Sequence, residues 1–226
     1  MPLEKCVIFA GGDLERPEVV KGRLTGREYV LAADGGARYA LALGLTPRKV
    51  VGDMDTLGED ELRKLREMGS EILVFPKEKD ESDTLLALRD AVESGYADIE
   101  IWGALGGRFD HSAANVVLLT HPLAAGARVR LLTWNQRIFL PERGEAIAGA
   151  PGDLISFFPM GEDVTGIQTR GLQYQPKDGK LKFNYVMGLS NVMLARECAI
   201  SWAAGILLCV HTFGGEPGRI SGEKGE

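Results

Sequence analysis

The sequence predicts an α/β protein: an open, mostly parallel sheet domain followed by a smaller all-β sandwich domain. Three observations carry that prediction. Residues 1–126 alternate short apolar runs with helix-patterned segments that stop at or near glycine. Beyond Gly126 the helical spacing gives way to brief β-like runs separated by turn sequences. Acidic motifs stand close behind the apolar runs of the first half, where a parallel sheet carries its ligand loops.

Residues 6–9, 29–33, 50–51, 72–75 and 99–102 are mostly β-branched, aromatic or otherwise apolar, the composition of strands buried on both faces. Between them, residues 37–43, 60–67 and 84–93 read as helices. They end near Gly44, Gly69 and Gly95, each suited to the left-handed residue of a C-cap. Leu85, Leu88 and Val92 mark the expected buried face of the third helix, and residues 113–119 form a fourth, stopped before Pro122. Alternation of this kind implies right-handed crossovers and a crevice outside the carboxyl ends of the strands. Gly11-Gly12, Asp34, Asp53 and Gly103 fall there. Residues 129–133 are a further strand that ends the first sheet or links the halves. Residues 153–158, 163–167, 181–185, 198–203 and 206–212 are the strands expected of the second domain, which spans 127–213. Its clearest turn is Pro176-Lys177-Asp178-Gly179. Residues 214–226 are dominated by Gly, Pro, Glu and Lys and are expected to lack order.

Of the 226 residues, 45% are hydrophobic and 26% charged, and the formal charge is −6. That sign argues against nucleic acid as the main partner, because phosphate backbones select basic faces. Cys6, Cys198 and Cys209 form no Cys-x-x-Cys pair, which argues against a disulfide framework or structural zinc and fits a reducing cytoplasm. No secretory leader is expected, and the apolar stretch over 199–210 falls short of the ~20 residues of a membrane span.

The chemistry lies in the acidic motifs. Carboxylates gathered at neighbouring strand ends repel: at an effective dielectric of ~20, two of them ~6 Å apart cost roughly 3 kcal/mol. Several in one crevice imply a divalent cation and a phosphate-bearing ligand. In Asp53-Met54-Asp55, an extended backbone would turn both carboxylates to one cation; the alternative is a turn in which Asp53 caps backbone amides. Asp80 and Asp83 stand three apart at a helix start, where Ser82 or Asp83 could equally be the N-cap. Asp34-Gly35-Gly36 opens a helix behind a strand, either for phosphate or simply for a tight turn. Gly106-Gly107-Arg108-Phe109-Asp110-His111, with Asn115 one turn further, offers a guanidinium fork, a carboxylate and an imidazole. No G-x-G-x-x-G or G-x-x-x-x-G-K-[ST] loop is present.

Taken in order, these motifs, with Pro76-Lys77-Glu78-Lys79-Asp80 and Gly188-Leu189-Ser190-Asn191, resemble those of the thiamine pyrophosphokinase (thiamin diphosphokinase) family over nearly the whole chain. The resemblance implies a homodimer in which an α/β domain takes ATP and a β-sandwich completes a thiamine pocket. It implies transfer of a pyrophosphoryl group from ATP to the hydroxyl of thiamine, leaving AMP. Asp53, Asp55 and Asp83 would hold Mg²⁺, with Asp34 and Asp80 in support and Asp83 nearest the attacking hydroxyl. Lys79, Arg108, His111 and Asn115 would face the nucleotide, and Ser190 and Asn191 the thiamine ring; Trp202 is a candidate for stacking on it. Met54, Thr56 and Ser82 depart mildly from the family's usual Phe, Ser and Thr. Two other readings are a metal-dependent nucleotide pyrophosphohydrolase and a non-catalytic thiamine- or nucleotide-binding protein.

Overall fold

The computed structural model describes residues 5–185 and 187–214. The chain divides into two compact units, Met1–Trp134 and Asn135–Glu226. The division lies later than the Gly126 expected from composition, because residues 128–132 pair with the first sheet.

The first unit holds six strands, β1 (Cys6–Phe9), β2 (Tyr29–Ala33), β3 (Lys49–Gly52), β4 (Glu71–Val74), β5 (Asp98–Trp102) and β6 (Arg128–Leu132). Their order is β6-β5-β1-β2-β3-β4, and every neighbouring pair is parallel. The chain builds outward from β1 to β4, then returns to the other side of β1 with β5. That reversal puts the topological switch point of the sheet between β1 and β5. Cys6, Val7, Ile8 and Phe9 are all fully buried, so β1 is covered on both faces, as an unbroken apolar run requires.

The helices are α1 (Pro17–Arg23), α2 (Ala37–Ala42), α3 (Glu59–Glu67), α4 (Asp83–Glu93) and α5 (Phe109–Leu118). In α4, Ala87, Leu88 and Ala91 are fully buried and Leu86 nearly so, whereas Leu85 and Val92 are half-buried. The small alanines let the helix lie close to β2 and β3, which pushes the bulkier Leu85 and Val92 to its flanks. Helix α5 starts at Phe109, four residues before the expected position, behind Arg108, which makes no side-chain cap. Helix α1 escaped the sequence reading. It opens on Pro17 behind a left-handed Arg16 (φ 51°).

The second unit is antiparallel. Its strands are β7 (Gln136–Phe139), β8 (Ala146–Ala148), β9 (Leu154–Pro159), β10 (Val164–Thr165), β11 (Gln168–Arg170), β12 (Lys180–Leu181), β13 (Asn191–Val192), β14 (Glu197–Ser201) and β15 (Leu207–Thr212). Within this unit the strands pair in the orders β13-β9-β15-β7, β11-β14-β8 and β10-β12. Phe139, Ile155, Phe157 and Cys209 from the first of these meet Ile147, Cys198 and Ile200 from the second in one buried cluster, the core of a sandwich. The run expected over 163–167 is broken by Gly166, whose φ of +69° cannot continue a strand. Residues 182–185, expected as strand, lie outside β12. All three cysteines are free and buried. Residues 215–226 of the expected tail lie outside the described residues, but Gly214 is held: its N–H donates to Asp153 Oδ1 at 2.7 Å.

Asp153 also anchors His211, which is fully buried. Arg137 Nη2 stands 3.2 Å from His211 Nδ1, and His211 Nε2 stands 2.8 Å from Asp153 Oδ2. A guanidinium only donates, so Nδ1 accepts and Nε2 carries the proton. Burial pushes the imidazole pKa down, only partly opposed by the hydrogen bond to Asp153. The unfolded chain therefore binds this proton at a higher pH than the folded one. Stability is fully present above the unfolded value of about 6.5 and falls as pH drops toward the folded value. Urea unfolding at pH 7.5 and 5.5 should show that loss, and His211→Gln should flatten it.

Among the described residues, no helix is long and apolar enough to cross a membrane.

Candidate active site

Three crossovers deliver the acidic residues to one place. Asp34 follows β2 in a short 3₁₀ turn, Asp53 follows β3 directly, and Asp83 is the first residue of α4. Each offers a carboxylate oxygen, and the three oxygens lie within 4.8 Å of one another. Asp34 is buried, and its backbone is left-handed (φ 41°), uncommon for a residue with a side chain. Gly52 makes room for the group: a Cβ there would lie 2.9 Å from Asp34 Cβ and 3.1 Å from Asp83 Cγ. Ser82 is the N-cap of α4, its Oγ accepting from Leu85 N at 3.2 Å. Capping is thereby left to serine rather than to the Asp83 carboxylate.

Asp34 Oδ1 and Asp83 Oδ1 are buried and make no hydrogen bond. Lys79 Nζ lies 3.0 Å from Asp83 Oδ1, an ion pair without hydrogen-bond angles. Burial raises the pKa of Asp34, and the charges of Asp83 and Asp53 raise it further, against the lowering hydrogen bond from Thr56. One buried oxygen each of Asp34 and Asp83 that accepts no hydrogen bond, with the Asp53 carboxylate close beside them, forms a hard, all-oxygen donor set. Such a set fits a small divalent cation such as Mg²⁺.

Asp55 does not join them. Met54 adopts φ 62°, so the segment is not extended and the side chains at i and i+2 diverge. Asp53 Oδ1 accepts from Asp55 N at 3.2 Å, the turn geometry weighed as the alternative above. Asp55 instead pairs with Lys77 at 2.8 Å, which holds its carboxyl below the usual range. Asp34, expected only in support, takes its place in the cluster. Asp80 is exposed and lies outside the group.

The loop after β5 is fastened from two sides. Gly12 N donates to Gly103 O at 2.7 Å and Asp13 N to Leu105 O at 2.8 Å. Asp13 Oδ2 accepts from Gly107 N at 2.9 Å. From α5, Asn115 Nδ2 donates to Ala104 O at 2.7 Å and Ser112 Oγ accepts from Gly106 N at 3.1 Å. Asn115 thus holds the loop rather than standing open. Arg108 is exposed and ion-paired with Asp110, and His111 is exposed beside them. Asp13 was not singled out from sequence, although its place directly behind Gly11-Gly12 at a strand end was a usable signal.

In the second unit, Asn191 is buried and clamps one residue: Tyr174 N donates to its Oδ1 at 2.9 Å, and its Nδ2 donates to Tyr174 O at 2.7 Å. Ser190 is exposed and left-handed (φ 53°), with its N–H donating to Ser156 Oγ at 2.9 Å. Trp202 Nε1 donates to Gly205 O at 3.0 Å, and its ring packs against the core.

Comparison with known proteins gives the same division of the chain. Residues 21–131 match the family described as thiamin pyrophosphokinase, catalytic domain, and residues 138–207 match thiamin pyrophosphokinase, vitamin B1 binding domain. The thiamine pyrophosphokinase of Bacillus subtilis is 28% identical over 207 residues, covering 91% of this chain and 97% of that protein. Thiamine pyrophosphokinase 1 of Arabidopsis thaliana is 26% identical over 200 residues, 75% of this chain and 73% of its own length. The crystal structure of the Bacillus subtilis enzyme superposes with a TM-score of 0.82 at 25% identity, covering 93% of this chain and all of that one. The yeast thiamin pyrophosphokinase structure, at 18% identity and a TM-score of 0.71 over 94% of this chain and 87% of that one, shares the fold. Two matched families in sequence, over most of the chain and on the architecture described, lead to one conclusion: this chain belongs to the thiamin pyrophosphokinase family.

Proposed function

We propose that this protein transfers a pyrophosphoryl group from ATP to the hydroxyl of thiamine, giving thiamine diphosphate and AMP. The observation that carries the reading is the convergence of Asp34, Asp53 and Asp83 at the carboxyl ends of parallel strands, in a chain matching both family domains.

In this reading the thiamine oxygen bonds to the β-phosphorus of ATP. The bond from that phosphorus to the α–β bridging oxygen breaks, and AMP leaves with the electron pair. Such transfer needs positioning and charge neutralisation more than covalent catalysis. Asp34, Asp53 and Asp83 would hold Mg²⁺, which supplies charge neutralisation for phosphate oxygens when bound. Asp83 also serves as acceptor for, or orienter of, the thiamine hydroxyl proton. Lys79, ion-paired to Asp83, and Arg108, at the exposed end of α5, offset charge on the triphosphate. Asp55 and Asp80 act from outside the cluster, Asp55 by holding Lys77. His111 is free to meet the nucleotide, while Asn115 keeps the loop after β5 in place. In the second unit Ser190 faces thiamine, and Asn191 shapes the segment that carries it. Exposed Tyr174, Phe183, Tyr185 and Leu189 favour a homodimer, and the buried free thiols suit the reducing cytoplasm.

Incubation with ATP, Mg²⁺ and thiamine, followed by chromatography, tests the reading. AMP and thiamine diphosphate should appear in equal amounts and only with thiamine and metal present. AMP without thiamine diphosphate would instead make the protein a pyrophosphohydrolase, and binding without turnover would make it a non-catalytic binder.

A further inference from the structure

The Asp34 carboxylate has a support that reaches back to the surface. Thr56 Oγ1 donates to Asp34 Oδ2 at 2.5 Å. That bond fixes one carboxylate oxygen and leaves Oδ1, buried and without a hydrogen bond, as the one open to a cation. Gly35 admits the hydroxyl, since a Cβ there would lie 2.8 Å from Thr56 Oγ1. Thr56 is itself held. Arg38 Nη2 donates to Thr56 O at 2.5 Å and to Glu61 Oε2 at 2.8 Å, and Arg38 Nε donates to Glu61 Oε1 at 2.6 Å. Glu61 Oε2 accepts from Gly58 N at 2.8 Å as well. Arg38 of α2 therefore holds the backbone of Thr56, Glu61 of α3 braces Arg38, and Thr56 pins the carboxylate.

We propose that Thr56 is a positioning residue for the cation, with Arg38 and Glu61 as its brace: the threonine hydroxyl sets the orientation in which Asp34 meets a divalent metal. The proposal rests on the reading of Asp34, Asp53 and Asp83 as a metal site. The strand has already ended at Ala33, and the side-chain hydrogen bond to the Asp34 carboxylate comes from Thr56 in the next crossover. The direction of the carboxylate is set from there. Outer partners that orient a ligand in this way typically account for 10- to 100-fold in metal affinity.

The test is Mn²⁺ binding by the full chain without nucleotide, followed by electron paramagnetic resonance of the free ion. Thr56→Val removes the hydroxyl at nearly constant shape and should weaken binding about 10- to 100-fold. Thr56→Ser restores the hydroxyl and should return binding to within about threefold of the parent. Thr56 is exposed and loses one hydrogen bond to a charged group, so Thr56→Val should fold and melt only a few degrees below the parent; Thr56→Ala carries the same expectation should the valine variant fail to fold. Parent-like Mn²⁺ affinity in a folded Thr56→Val or Thr56→Ala protein overturns the proposal. Asp83→Asn separates the two levels. If it binds Mn²⁺ like the parent, the metal site itself is wrong and the role of Thr56 falls with it. If it loses Mn²⁺ while the threonine variants keep it, only the role of Thr56 falls.

Discussion

Asp83→Asn is expected to lower turnover by about 10³-fold, the scale on which a single electrostatic contributor to a transition state acts, while the protein melts at or above the parent temperature. The two halves of that result have one cause. Asp34, Asp53 and Asp83 bring carboxylate oxygens within 4.8 Å of one another, and without a cation their repulsion works against the fold. Asparagine keeps the shape and removes a charge, and in the metal-free protein the repulsion relieved outweighs the partly exposed ion pair to Lys79 that is lost. Stability surrendered for function is the usual bargain at a working site. Steady-state rates and calorimetry on the same preparation check it. Near-parent turnover would remove Asp83 from the chemistry, and a sharp fall in melting temperature would make it a structural residue instead.

Gly36→Ala is expected to be the most destabilising single-methyl change in the first unit. A Cβ at Gly36 would stand 2.0 Å from the carbonyl oxygen of Phe9 and 3.0 Å from the carbonyl carbon of Ala10. Neither neighbour can step aside. Phe9 ends β1, which pairs with β2 on one side and β5 on the other, so the carbonyl belongs to the middle of the sheet. Overpacking against movable side chains costs about 1–3 kcal/mol, and against fixed backbone the cost should reach or exceed the top of that range. A useful contrast is Gly44→Ala, where φ is +78° but nothing lies within 4 Å; only the backbone penalty of about 1–2 kcal/mol applies. Denaturant titration of both variants should rank Gly36→Ala well below Gly44→Ala. The opposite order would mean that the loop at Gly36 yields more readily than its place beside β1 implies.

Much of the first unit was legible because its signals are local. Cys6–Phe9 and Tyr29–Ala33 are strands in their entirety, as an unbroken β-branched and apolar run dictates. Burial on both faces leaves no competing amphipathic pattern. Gly166 splitting a strand was less legible, since a glycine within a β-like run says nothing about the neighbour it must avoid. Here that neighbour is Ala203, whose Cβ lies 2.7 Å from where a Cβ on Gly166 would be. At the site, the gathering of acids behind successive strands was readable from their positions. Which acids meet was not. The choice of Asp34 over Asp55 turns on two left-handed residues, Asp34 and Met54, and neither residue type announces that conformation. The role of Asn191 shows the same limit from the other side. The motif singled out Asn191, but that both ends of its amide grip Tyr174, seventeen residues away, is encoded in no local pattern.

The origin of the three acids in three successive crossovers bears on how the protein comes apart. No hairpin, helix or single strand–helix unit carries more than one of them, so a partly unfolded chain has no fragment of the cluster left to use. Anything that bridges Asp34, Asp53 and Asp83 ties β2, β3 and the start of α4 to one another and must be released before the sheet can open. Such a tie belongs to the finished native state and is absent from early folding nuclei, so its weight falls on the rate of unfolding and leaves folding nearly untouched. The crevice is then also a clasp, and its loaded form should be lost from solution more slowly than its melting temperature alone would suggest.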